Sequence, residues 1–412
     1  MTDRANLTDV VIAGDSLTGH LLAIALLRAG GPSLTVRLVG RTKGQRPESA
    51  DIRAFAISAA SRNVLVALGI WPLVAEAAQP VTAIDITDGR LDSPVRPVFV
   101  HYDNVLAPDE PASFILEARH LRAAVAEVLG WMPGLTAPLA GPVQSIALSE
   151  PGIVLELAEG TVTARLAVAA EGRDSPLRGL AGIKTVDWSY PQAAIVTAVR
   201  HERSHGGKAV QHFLPAGPFA ILPLHGGFRS SLVWSEMRSE AERILALDDE
   251  AFDAELGQRF GGILGEVHAE GPRVTWPLEM QLARRFVGER LALIGDAART
   301  VHPIAGQGLN IGLRDVAALA EIIVDTHRLG LDVGSAEPLA RYERWRRFDS
   351  VLSTMTMDGL NRLFSNDNTA LRTLRDVGLG LVERSPALKG FFVREAAGLT
   401  GEVPRLMRGA VL

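Results

Sequence analysis

Apolar residues along the chain follow two different periods, and the switches between them mark out the elements. Residues 9–13 (DVVIA) make a short unbroken run rich in β-branched side chains, the pattern of a strand buried on both faces. The run stops at Gly14, a helical pattern extends from about Leu17 to Arg28, and Leu34–Val39 reads as a second strand. This is a βαβ unit, the usual setting of a dinucleotide site. Residues 51–70 read as a helix ending at Gly69, and 81–115 as short strands with polar turns. A helix is expected at about 118–129, then strands near 143–148, 153–157 and 161–169. Between 190 and 235 the runs AAIVTAV, FAILPL and SSLVW follow one another with no helix until 239–260, which predicts a separate antiparallel region. Residues 290–295 form another buried strand, followed by a loop and a helix at about 308–328. The stretch 337–412 is helical and Arg-rich, with a break at 365–369.

The strands at 9–13, 34–39, 165–169 and 290–294 share one character yet lie far apart in sequence. One Rossmann-like α/β domain is therefore assembled from dispersed segments, with a β-rich unit inserted into it. A chain of 412 residues accommodates this, at roughly 100–200 residues per domain. Hydrophobic residues at 47%, charged residues at 22% and a net charge of −5 exclude a disordered chain. They also leave no basic stripe for nucleic acid. With no Cys, disulfides, thiolate metal sites, Cys nucleophiles and iron–sulfur clusters are excluded. The ten His form no HxxxH or HExxH pair on a predicted helix, His201-Glu-Arg-Ser-His205 falling in the β-rich region, so no metal is expected, and any redox chemistry must come from a bound cofactor. No apolar stretch reaches the ~18 residues of a membrane span. The polar start MTDRANLTD lacks a signal-peptide pattern, so the expected location is the cytoplasm.

Four segments carry chemistry. Gly14-Asp15-Ser16-Leu17-Thr18-Gly19 stands where a pyrophosphate-binding G-x-G-x-x-G would stand, with Ser16 in the middle glycine's place. The second strand ends Val39-Gly40-Arg41, without the carboxylate that usually meets a ribose. Asp51-Ile52-Arg53 places an Arg at a predicted helix start, where a solvated charge is the plain alternative. The buried strand at 165–169 runs into Ala170-Glu171-Gly172-Arg173-Asp174-Ser175-Pro176-Leu177-Arg178, for which a capped strand-to-helix turn is the alternative. The longest signal is Gly295-Asp296 through Asp315. Asp296 ends a strand, where its carboxylate can meet a sugar-like hydroxyl. Pro303 to Gly308 make a rigid, glycine-opened loop, and Gly308-Leu309 start a helix whose N–H groups face outward.

Together these segments resemble the class A flavoprotein monooxygenases of the para-hydroxybenzoate hydroxylase type, and more closely the ubiquinone-biosynthesis hydroxylases. The run Gly306-Gln307-Gly308-Leu309-Asn310-Ile311-Gly312-Leu313-Arg314-Asp315 is typical of the latter. So are Tyr342-Glu-Arg-Trp-Arg-Arg, Met357-Asp-Gly-Leu-Asn-Arg-Leu-Phe-Ser and the 396–398 stretch leading to Pro404. The likeness covers nearly the whole chain, more weakly at 80–115 and 180–285. It implies an FAD-binding domain at 1–80, 111–180 and 286–330, a β-rich substrate domain at 81–110 and 181–285, and a helical region at 331–412. FAD would be held by Gly14, Ser16, Gly19, Arg53, Arg119, Gly295, Asp296, Pro303, Gly306, Gln307, Gly308, Leu309 and Asn310. NAD(P)H, O2 and a polyprenylated phenol are the implied reaction partners. No catalytic base is identified, since flavin and pocket shape carry most of the chemistry in this family.

The chain departs from the pattern at Ser16, at Asp15 beside the phosphates, at Gly40, at Glu171 where Asp is usual and at Arg299 where His is usual. Each lost hydrogen bond would cost about 1–3 kcal/mol. Two other functions fit less of the chain: hydroxylation of a small soluble aromatic, and a flavin-poor scaffold in a quinone-synthesis complex. His302 is read as a hydrogen-bonding loop residue. His212, Phe213, Phe219, Leu222, Pro223 and Trp234 are read as sheet core, with a ring pocket as the alternative. The segment around Phe391, Phe392 and Arg394 suits either a helix on the inner face of the cell membrane or one packed on the protein.

Overall fold

The run Leu7–Ala13 lies at the centre of a sheet with Val36–Arg41 on one side and Gly160–Ala169 on the other, both parallel to it. Parallel neighbours and covered faces explain its uninterrupted apolar sequence. The computed structural model describes residues 7–41, 51–88, 98–301, 307–364 and 385–412. Leu135–Ala140 extends the sheet beyond Val36–Arg41, and an antiparallel pair, Gly152–Leu157 and Val143–Ser149, extends the other side. The last residues of Gly160–Ala169 also pair in parallel with Leu291–Leu293. Helices Leu17–Gly30 and Gly308–Arg328 contribute Leu21, Leu22, Ile24, Leu313, Val316 and Ile323 to the core of this sheet.

The predicted helix over 51–70 is a strand followed by a shorter helix. Ala54–Ser58 pairs antiparallel with Ser113–Glu117, and only Ala59–Ala67 is helical. Ala-rich sequence favours a helix locally, but the cross-strand partner supplies hydrogen bonds and burial that override that preference. Ser58 ends the strand and caps the helix, its hydroxyl accepting from the Ser61 N–H at 3.2 Å.

A second sheet holds the region expected to be antiparallel. Its order runs Arg299–Thr300, Val267–Ala283, Thr185–His201, Arg229–Met237, Gly217–Pro223, Lys208–Leu214, Ala83–Asp88 and Val98–Asp103. One face carries Ile195, Val199, Phe219 and Trp234 against Phe252 and Phe260 of helix Asp249–Phe260. Phe219 and Trp234 are therefore core, as is His212, which stacks on Phe219 at 6.1 Å. The opposite face carries Ala194, Leu278 and Met280. Trp276 lies opposite Ala194 in register, so it shares this second face. The helix Pro386–Ala396 packs through Val393, with Ala397 beyond it, against Ala59 and Ala112, while Phe391 is exposed.

Candidate active site

The parallel register fixes where the chemistry-bearing segments meet. Ala13 pairs with both Val39 and Ala169, and Ala169 pairs with Leu293. Gly14, Gly40, Glu171 and Gly295 therefore leave the sheet at one edge, the carboxyl ends of four strands, where open α/β sheets bind their ligands. Gly14 has φ +112° and donates its N–H to Val39 O at 2.9 Å. A Cβ on it would lie 2.5 Å from the Ala170 carbonyl oxygen, so only glycine lets these two strand ends touch.

Ser16 caps helix Leu17–Gly30: its hydroxyl accepts from the Gly19 N–H at 3.1 Å and lies 3.1 Å from Thr18 Oγ1. Asp15 pairs with His20 at 2.9 Å, so its charge is partly met within the same turn. The first turn of this helix contains no acidic residue, and neither does that of Gly308–Arg328. Both N-termini keep their attraction for an anion or an electron-rich ring. The Ser16→Gly variant should bind FAD a few-fold more tightly in an apoprotein titration, because it frees the Gly19 N–H. The helix should lose only a few tenths of a kcal/mol, glycine being an adequate cap. Weaker binding would instead mean that the hydroxyl itself holds the ligand.

The Gly295-Asp296 turn is held from behind by buried groups. Asp315, fully buried, accepts from the Gly295 N–H at 3.0 Å, from Arg299 Nη1 at 2.8 Å and from Arg346 Nε at 2.9 Å. Arg299 also donates to Ile311 O at 2.9 Å. The family's usual His is thus replaced by a structural cation bridging the turn to helix Gly308–Arg328. Tyr342 donates to Leu293 O at 2.8 Å, Glu343 accepts from the Phe286 N–H at 3.0 Å, and Trp345 donates to Glu402 O at 3.0 Å. The motif Tyr342–Arg347 therefore anchors helix Ala336–Phe364 to the back of the turn. Glu171 serves similarly, accepting from Ser175 Oγ at 2.5 Å and the Leu177 N–H at 3.0 Å, with burial pushing its carboxyl pKa up. Arg178 reaches from this capped turn to Ala297 O at 2.9 Å.

On the open side lies Asp296. It is exposed at the mouth of the turn yet closely surrounded by protein, and desolvation raises its pKa although Arg299 and Arg53 pull the other way. Arg53 precedes a strand, not a helix. Its guanidinium sits 5.8 Å from the rings of both Phe55 and Trp276. Asp51 holds it through two bonds, Nε to Oδ1 at 2.8 Å and Nη2 to Oδ2 at 2.7 Å, and Arg122 Nε adds a third at 3.0 Å. Burial opposes ionisation of Asp51, but its hydrogen bonds and charge contact with Arg53 and its bond to Arg122 prevail and bring the pKa to about 2. Stability from this group is thus fully present above the ordinary carboxylate pKa and is lost as pH falls from there through about 2.

Among the other expected site residues, Asn310 spends its side chain on the neighbouring strand. It accepts from the Ser58 N–H at 3.0 Å and donates to Ala56 O at 2.8 Å, so it places the start of helix Gly308–Arg328. Gln307 caps that helix without a side-chain bond to its backbone, its Oε1 accepting instead from Asn310 Nδ2 at 3.4 Å, which leaves the N–H groups of Gly308 and Leu309 at the free end. Arg119 pairs with Glu117 at 3.0 Å, one residue beyond the Ala118 N–H that donates to Arg53 O at 2.8 Å. Pro303 and Gly306, with His302, lie outside the described residues. Trp276 had no local signal in the sequence; Arg122, one helical turn after Arg119, had only its spacing.

This arrangement suits FAD: a glycine contact no Cβ can enter, two helix N-termini with no acid in their first turn, and an accessible carboxylate at a strand end. The FAD binding domain family matches residues 152–347. The chain is 45% identical to the ubiquinone hydroxylase UbiL of Rhodospirillum rubrum, over 98% of this chain and 93% of that protein. It is 31% identical to the 3-demethoxyubiquinol 3-hydroxylase of Escherichia coli, over 95% of this chain and 99% of that one. The crystal structure of p-nitrophenol 4-monooxygenase PnpA from Pseudomonas putida shares the fold, with a TM-score of 0.77 over 96% of this chain and 99% of that chain at 19% identity. Because the likeness to the hydroxylases runs from end to end, the chain belongs to the FAD-dependent aromatic-ring monooxygenases, in the branch of the ubiquinone hydroxylases.

Proposed function

We propose that this protein hydroxylates the aromatic ring of a polyprenylated phenol in ubiquinone biosynthesis, using FAD, NAD(P)H and O2. The observation that carries this reading is the 45% identity to a ubiquinone hydroxylase over 98% of the chain. Bound flavin supplies the oxygen chemistry. The chain's residues hold and shield it: Gly14, Ser16 and Gly19 at the pyrophosphate, Asp296 at the ribityl chain, Arg53 and Arg119 along the cleft, and Gln307 to Asn310 at the ring. The first sheet with its helices is the FAD domain, and the second sheet is the substrate domain, whose Trp276 face closes on Arg53. The test is a strain lacking the protein. It should accumulate a quinone precursor short of one hydroxyl, and purified protein should be yellow with near-stoichiometric flavin. Normal ubiquinone in that strain, with no paralogue present, would overturn the assignment.

A prenylated substrate partitions into the bilayer, so the enzyme works at the membrane surface. No helix among the described residues is long and apolar enough to cross a membrane. The face that suits surface contact lies on helix Ala336–Phe364, where Phe348, Leu352 and Met355 are exposed one turn apart. Exposed Arg341, Arg344 and Arg347 precede them, the order expected for anionic headgroups beside an acyl boundary. Replacing Phe348 and Leu352 by Asp should abolish binding to anionic liposomes and lower turnover of prenylated substrate, while a short water-soluble analogue is spared. Equal loss on both substrates would assign these residues to folding instead.

A further inference from the structure

We propose that Asp51 is a positioning residue that fixes Arg53 across the mouth of the flavin cleft, a role that rests on reading Arg53 as a cofactor residue. The geometry is that of a clamp. Asp51 takes two neighbouring guanidinium nitrogens of Arg53 on its two oxygens, at 2.8 and 2.7 Å. Its Oδ1 also accepts from the Arg53 N–H at 3.3 Å, so the side chain and its own backbone are tied to one carboxylate. Such a paired fork leaves little rotamer freedom to a side chain that is otherwise long and mobile.

The direction of the fork matters because Arg53 lies between two sheets. Phe55 belongs to the strand Ala54–Ser58 on one side, Trp276 to the open face of the second sheet on the other. Arg53 is also near enough to Asp296 for each to alter the other's ionisation. The clamp thus aims one positive charge at the end of the cleft where Asp296 stands, and holds it 5.8 Å from a ring on each wall.

Arg122 completes the device. Its Nε bonds the Asp51 oxygen already used by Arg53, at 3.0 Å. Two cations share one anion, so the group carries a net charge of +1 towards the cleft. Asp51 therefore orients Arg53 without cancelling its charge. This separates two consequences of removing Asp51. If the carboxylate acted through charge alone, its loss would make the cleft more positive and tighten binding of the anionic cofactor. If it acts by orientation, its loss weakens binding.

The experiment is a double-mutant cycle on the dissociation constant of FAD from apoprotein, read by flavin fluorescence, with thermal midpoints measured in parallel. Arg53→Ala and Asp51→Ala should each weaken binding about tenfold. The double variant should be no weaker than either single one, because Asp51 acts through Arg53. Asp51→Asn, which keeps one acceptor and serves if the alanine variant folds poorly, should fall between. Tighter binding in Asp51→Ala, or losses that multiply in the double variant, would overturn the positioning role. An Arg53→Ala protein with unchanged FAD affinity would instead overturn the reading of Arg53, and the proposal with it. A lowered midpoint with unchanged affinity in Asp51→Ala would make the carboxylate merely structural.

Discussion

Asp315→Ala should yield little or no soluble protein at 37 °C, and what can be purified should melt far below the parent. Asp315 is fully buried between two cations that are almost as buried, Arg299 at 3% and Arg346 at 1% exposure. Its two oxygens accept three hydrogen bonds, from Arg299, Arg346 and the Gly295 N–H. Removing the anion leaves Arg299 without its hydrogen-bonded counter-ion and Arg346 with only Asp349, at 2.9 Å, a change that costs about 3–5 kcal/mol. Total stability of a domain is only about 5–15 kcal/mol. At about 2–4 °C per kcal/mol, the midpoint should drop by about 6–20 °C. The Gly295-Asp296 turn should loosen as well, so surviving protein should bind FAD poorly. Arg299→His should be milder, since Arg346 and the Gly295 N–H still hold Asp315. A calorimetric midpoint for Asp315→Ala within about 2 °C of the parent would show that this triad does not secure the turn.

The second large effect is on the cofactor alone. Asp296→Asn should give a folded protein that binds FAD about ten- to a hundredfold more weakly. A hydrogen bond from a hydroxyl to a carboxylate contributes about 1.5–3 kcal/mol, and the amide keeps the shape but not the charge. Apoprotein stability should move the other way. Desolvation raises the carboxyl of Asp296 above its ordinary pKa, against Arg299 and Arg53. A raised carboxyl pKa means that the folded state holds the proton more tightly than the unfolded one. Ionisation therefore costs stability as pH rises past the unfolded value. Replacing Asp296 by Asn removes that cost, so the apo variant should melt above the apo parent at pH 7 and converge with it in acid. Flavin titration and thermal scans at two pH values test both halves. Full flavin occupancy in the variant would mean that Asp296 does not touch the cofactor.

How much of this was legible in the chain depends on the range of the interactions involved. The glycines at 14 and 295 and the carboxylate at 296 lie within local patterns, a buried run ending in a tight turn and a helix start. Those patterns depend on backbone geometry over a few residues, so sequence alone locates them. The helix Gly308–Arg328 was placed to the residue for the same reason, its 3.6-residue period being strong over 21 residues. The strand Ala54–Ser58 was misread as helix because its partner, Ser113–Glu117, stands about 60 residues away and has no trace in the local pattern.

Roles were less legible than positions. Arg299 looked like a lost cofactor residue, and Glu171 like a substitution at a binding acid. The structure gives the first a buried counter-ion in Asp315 and the second a helix to cap, and neither partner can be deduced from the residue's own neighbourhood. Asn310 belonged to the flavin loop by position, yet its amide is committed to a strand more than 250 residues earlier. The chain by itself therefore located the buried strands and the turns that end them, because these follow from hydrophobic period and glycine geometry, while the cofactor followed from the resemblance of the motifs to a family. Only the tertiary structure decided which charges meet: Asp315 with two arginines, Asp51 with Arg53 and Arg122, Arg53 between Phe55 and Trp276. Electrostatic pairing depends on distance in space, and sequence separation does not encode it.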